Sequence, residues 1–257
     1  MFVQVNSATP QSNQSQITVM FNGAQTAGDT NVVAVGWNDA TSTITSVSDG
    51  AGNAYQVAAP VARGTGLSQA IYYAKNIASA PAGANGVTVT FNAVVRFADI
   101  RILEYSGLDP NTPFDVARSA SGSTTLADSG NLATNYTSEL VFAAGMTTNR
   151  FTAAGAGFTN RIITSSDGDI AEDRRTSAIG VYNATAPLNA AAAWLIQIAT
   201  FRAAGQRRRR TRVGLDGLSD QVIRQCACCS VRSLSASRPG GSSLSSYVGT
   251  SSCLTPR

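Results

Sequence analysis

The stretch DIRILEYSGLDP, residues 99–110, decides how the rest of the chain reads. Ile100 and Ile102 alternate with Arg101 and Leu103, and Gly107, Asp109 and Pro110 then break the extended pattern. Period-two spacing that ends in turn residues predicts a strand, and the apolar content predicts a central one. Glu104 projects to the same face as Ile100 and Ile102, because successive side chains on a strand point to opposite sides. A carboxylate on an apolar strand face is either the anchor of a structural ion pair or a functional acid.

Outward from this strand the same period recurs. Val87, Val89 and Phe91 alternate with Thr88 and Thr90, which predicts a half-buried strand. Residues 31–38 place Val33, Val35 and Trp37 on one face and Val32, Ala34 and Gly36 on the other, so both faces are apolar and the strand belongs in mid-sheet. Residues 139–146 repeat that two-sided pattern, and in residues 192–203 Trp194, Ile196 and Ile198 oppose Leu195, Ala199 and Phe201. Residues 16–21, 68–76, 114–119 and 158–164 read as further strands, and 170–184 as one long strand. The run ITSVSDGAGNAYQVAAP, residues 44–60, predicts a hairpin around Asp49-Gly50-Ala51-Gly52-Asn53. Residues 121–134 read as a polar connection.

Roughly a dozen strands are expected, and no segment sustains helical spacing with caps at both ends. Strands without intervening helices exclude a parallel α/β sheet. The expected fold is all-β, a two-sheet antiparallel sandwich of jelly-roll or immunoglobulin-like type over residues 1–205.

Composition narrows the chemistry. The 257 residues contain no histidine, which removes the commonest general base and metal ligand and the histidine-dependent nucleophiles. Charged residues are 13% of the chain, about half the share usual in soluble proteins, and Ser, Thr, Asn, Gly and Ala fill the gap, as suits short strands joined by polar turns. The net charge of +4 combines opposite parts: residues 1–205 carry 10 cationic and 13 anionic side chains, whereas residues 206–257 carry 9 and 2. Basicity therefore belongs to the tail, and the first 205 residues show no signature of specific nucleic-acid binding. Residues 206–257, with QRRRRTR, abundant Ser and Arg, and neither structural period, read as a basic, disordered tail. All four cysteines, Cys226, Cys228, Cys229 and Cys253, lie there. A cysteine-free sandwich fits export from a bacterial cell, and no apolar run approaches the ~20 residues of a membrane span. The chain opens directly on FVQVNSA without the pattern of a signal peptide, so the expectation is either a removed leader or an internal fragment of a longer chain.

At AGDTNVVAVGWNDATSTITSVSDGAGNAYQ, SQAIYYAKNI and VRFADIRILEYSGLDPNTPFDV the chain resembles a set of uncharacterised bacterial proteins, many of them predicted to be secreted, that share a β-sandwich domain. The resemblance runs from residue 1 to about residue 204. It implies the fold class and an exported or cell-surface location, and it carries over no catalytic residues.

Site candidates therefore rest on residue chemistry. Gly66-Leu67-Ser68-Gln69-Ala70 has the look of a nucleophile elbow, but it precedes a strand and lacks a histidine partner. A carboxylate pair is the catalytic option that remains: glycoside hydrolysis needs one acid of raised pKa and one ionised partner. Glu104 is the acid that burial would raise, with Asp99, Glu172 or Asp173 as partner, while Arg96, Arg101, Arg174 and Arg175 are close enough in sequence to make the same acids structural. Asp167 and Asp169 are candidates for a calcium site, with Asp49 and Asn53 as a second, against the simpler reading as turn residues. Tyr72, Tyr73 and Tyr105 are candidates for stacking sugar rings, whereas Trp37 and Trp194 belong in the core. The leading expectation is a non-catalytic extracellular module that binds polysaccharide or serves cell-surface adhesion, and the alternative is a glycoside hydrolase using Glu104. If Glu104 is structural, it should be locked to an arginine.

Overall fold

Two-sided apolar strands demand cover on both faces, and the chain supplies it by stacking sheets. The structure, a computed structural model, describes residues 1–206, so the expected disordered tail lies outside the described residues. Every paired strand is antiparallel, and no helix occurs among the described residues, hence none long and apolar enough to cross a membrane.

The first half of the described chain gives β1 (Phe2–Ala8), β2 (Gln14–Met20), β3 (Thr30–Trp37), β4 (Ile44–Asp49), β5 (Tyr55–Arg63), β6 (Ser68–Ala74), β7 (Gly86–Val95) and β8 (Asp99–Tyr105). They form a five-stranded sheet, β1-β8-β3-β6-β5, and a three-stranded sheet, β2-β7-β4. β8 is the expected central strand, all seven of its residues are buried, and β3 lies beside it in mid-sheet. The expected β4–β5 hairpin is not a ladder. β4 pairs with β7 and β5 with β6, because Val87, Val89 and Phe91 need the cover of Ile44 and Val47, and the turn at 50–54 carries the chain from one sheet to the other.

The second half gives β9 (Phe114–Gly122), β10 (Leu126–Asp128), β11 (Leu132–Ala133), β12 (Glu139–Thr147), β13 (Thr159–Ile163), β14 (Ile170–Arg175), β15 (Val181–Tyr182), β16 (Thr185–Pro187) and β17 (Trp194–Arg202). Its five-stranded sheet, β9-β17-β12-β14-β13, repeats the order of the first: opening strand, closing strand, then the third, sixth and fifth positions. The outer layer repeats it in broken form. β10 and β11 stand where β2 stands, β16 and β15 pair with them as β7 pairs with β2, and a single bridge from Phe151 to Leu188 replaces β4.

The expected all-β, antiparallel sandwich holds in that coarse form, with several sheets packed together, but the layers are shared between two halves of like topology rather than formed by one pair of sheets. One apolar cluster, with Trp37, Phe21, Ile100 and Ile102, lies between the first half's two sheets. A second joins the two five-stranded sheets through Val32, Leu103, Tyr105, Phe142 and Phe201. A third, with Phe151, Ile170, Trp194 and Ile198, lies under the broken outer layer. Trp37 and Trp194 are both core residues, 0% and 7% exposed.

Candidate functional site

A cleft of about 230 Å³ opens where turns of the two halves meet at one end of the stacked sheets. Asn38, which follows β3, and Phe97, in the β7–β8 turn, come from the first half; Thr147, Thr148 and Asn149, at the end of β12, and Ser166, Asp167 and Asp169, in the β13–β14 turn, come from the second. Gln11, in the β1–β2 loop, reaches across. Its Nε2 donates to Asp167 Oδ1 at 2.7 Å, and Thr9 Oγ1 nearby donates to the Ser165 carbonyl at 2.7 Å. Each half thereby supplies part of one rim.

Phe97 is the odd member of that rim. The residue is 43% exposed and its backbone has φ of +45°, a left-handed conformation that an aromatic residue adopts only when its surroundings impose it. Both neighbours constrain it: Ala98 is buried in the core, and the Arg96 carbonyl accepts a hydrogen bond from Asn38 N–H at 2.9 Å.

Behind the rim lies a buried polar array. Asp169 is 1% exposed, its Oδ1 accepts the Thr147 N–H at 2.9 Å, and its Oδ2 accepts no hydrogen bond from any described residue. Burial first, and then the charge of Asp99, push its carboxyl well above the usual range. Asp99 is raised too, by burial, although the Arg101 guanidinium 2.8 Å away and the Thr164 hydroxyl oppose the shift. Arg101, wholly buried, has its donors committed elsewhere: one terminal nitrogen to the Gly145 and Ile170 carbonyls and the other to Gln69 Oε1 at 3.0 Å. The Arg101 Nε contact to Asp99 is an ion contact outside good hydrogen-bond geometry.

The three carboxylates proposed for catalysis do not share a cleft. Glu104 keeps to the face of Ile100 and Ile102, between the first half's sheets, where it accepts from Gln4 Nε2 at 2.5 Å and from the Thr26 N–H at 3.1 Å. No arginine is bonded to it; its neighbour is Asp29, whose carboxyl rises to about 6 through burial and through Glu104 itself. The expected buried carboxylate–arginine pair exists one face away, as Asp99 and Arg101, which share the opposite side of β8. Asp173 lies between the five-stranded sheets, held by two Arg161 nitrogens at 2.7 and 2.8 Å and by the Tyr105 hydroxyl at 2.8 Å. Glu172 projects to the other face of β14, where the Gly155 N–H donates to it at 2.7 Å and burial raises it to about 7.

The tyrosines are also committed. Tyr105 is 1% and Tyr73 7% exposed, with the Tyr73 hydroxyl on Gln56, and half-buried Tyr72 packs against the first half's core. Asp49 accepts from Asn53, Tyr55 and Asn85, the pattern of a braced turn. Asp167 and Asp169 are the sequence candidates that the fold brings to the cleft, and no group of three or more His, Cys, Asp or Glu side chains among the described residues is placed to hold a metal ion. Sequence reading missed Gln11, Asn38, Phe97, Thr147 and Asn149. Only Phe97 carried a signal, a large aromatic in a turn between two strands. No family model, no curated protein and no solved structure matches this chain.

Proposed function

We propose that the protein is a non-catalytic glycan-binding module, exported or displayed at the cell surface, whose site is the cleft between the two halves. The observation that carries this reading is the composition of the rim: an exposed aromatic ring in a strained backbone beside Gln11, Asn38, Asn149, Asp167 and Asp169. Sugars present apolar C–H faces and flanking hydroxyls, so a ring to stack on and planar amide and carboxyl groups to bond with form the matching set. Strain held at Phe97 is what a preorganised contact looks like, since a relaxed turn would turn the ring away. The fold reading goes with it. The orders β1-β8-β3-β6 and β2-β7-β4 support reading each half as a jelly roll, with β5 beside β6 rather than beside β4 and the second half's outer sheet frayed.

The test is a titration of the full chain against an oligosaccharide panel, with calcium and with chelator, alongside chromogenic glycosides. Binding without turnover is expected, and Phe97→Ala should weaken it about tenfold, the cost of losing one well-placed aromatic contact. Undiminished affinity in Phe97→Ala would remove the cleft from the account. Turnover lost in Asp169→Asn would replace the module with a hydrolase acting through the Asp167 and Asp169 carboxyls, and turnover lost in Glu104→Gln would return the chemistry to the first half.

A further inference from the structure

We infer that the cleft selects sugars bearing a free ammonium group, with the Asp167 carboxylate as the partner of that group; this rests on the glycan-binding reading above. The lining contains two carboxyl groups and no cationic side chain. Arg101, on the inner side of Asp169, is sealed in the core with its nitrogens turned to Asp99, Gln69 and two backbone carbonyls, so it offers no charge to a ligand. Asp167 Oδ2 is shielded from water and has no hydrogen-bond donor, although Oδ1 of the same group is satisfied by Gln11. Asp169, 99% buried, lines the same cleft with one oxygen undonated.

With Oδ2 closed off and undonated, the charge of Asp167 is under-compensated, and its one accessible oxygen, Oδ1, holds a single donor from Gln11, so a cation bound at Oδ1 offsets that cost. Neutral hydroxyls could do this singly. An ammonium group brings three donors together with a positive charge, enough for Asp167 and an amide oxygen of Asn149 or Asn38, and it is further favoured beside the face of Phe97. The same Asp167 carboxylate repels a uronate or sialate. The class that fits is therefore a hexosamine with an unacetylated amine.

The experiment compares, on the full chain, a glucosamine oligosaccharide, its fully N-acetylated counterpart and 1,5-diaminopentane, each titrated by calorimetry against the wild type and Asp167→Asn. Expected are at least about tenfold tighter binding of the free-amine sugar and collapse of that preference in Asp167→Asn, whose amide still accepts from Gln11. An unchanged melting temperature in the variant separates lost recognition from lost folding. Equal or tighter binding of the acetylated sugar would overturn the inference and leave the glycan-binding reading standing. Binding of the diamine alone, or silence towards all three, would overturn the inference, while the glycan-binding reading stands or falls on the wider oligosaccharide panel.

Discussion

At the scale of single residues, buried carboxyl groups set the pH response. Burial holds Glu172 at about 7, above its ordinary 4.5, so the folded chain binds a proton that the unfolded chain has already released. The stability linked to this group is complete below about pH 4.5 and is lost as pH rises through 7. Glu139, likewise raised to about 7 by burial, acts in the same direction. Replacing Glu172 with Gln keeps the acceptor for the Gly155 N–H and removes the proton. The melting temperature of the wild type should therefore fall by a few degrees from pH 4.5 to 8, and that of Glu172→Gln should fall less; parallel pH profiles would show that Glu172 carries no linkage. The oddity of Glu104 was legible from alternation alone. Its partners were not, because Gln4 and Thr26 lie in β1 and in a loop, 100 and 78 residues away in sequence. Alternation states which face a side chain takes, and only the closed fold states what it meets there.

At the scale of elements, the strands with strong period two were read in place, β3, β7, β8, β12 and β17 among them. Short, half-polar ones were not. The expected polar connection at 121–134 contains β10 and β11, and the expected long strand at 170–184 is two pieces, β14 in the second five-stranded sheet and β15 in its outer layer. Ladders of two or three residues carry too little alternation to rise above a loop; they form because the sheet beneath them needs a lid. Two glycines test how tightly the layers sit, Gly155 under that lid and Gly36 between the two five-stranded sheets. A Cβ on Gly155 would run into the Thr185 carbonyl oxygen, in β16, where the backbone must give; a Cβ on Gly36, in β3, would run into the flexible Met146 thioether. Gly155→Ala should accordingly cost about 3 kcal/mol or more, and Gly36→Ala about 1–2 as the methionine shifts. Urea melts that ranked them the other way would mean that the outer layer is looser than drawn.

At the scale of the whole molecule, the repeated strand order was not visible in the sequence, because the two halves share a pattern of pairing more than a run of residues. Arg101 shows how firmly they are joined. It reaches from β8 to the Gly145 and Ile170 carbonyls of the second half while its charge is balanced by Asp99 in its own strand. Arg101→Leu would leave Asp99 buried without its counter-charge and should cost about 3–5 kcal/mol; adding Asp99→Asn should restore much of it. A single variant as stable as the wild type would show the pair to be dispensable. Because the cleft's rim is shared between the halves, any molecule that fills it also acts as a brace between them and is absent from the unfolded chain. Occupancy should then be readable as heat resistance of the entire fold, about 2.7 kcal/mol at a hundredfold excess over Kd. A melting screen across a library of saccharides could thus identify the natural ligand before any assay for it exists.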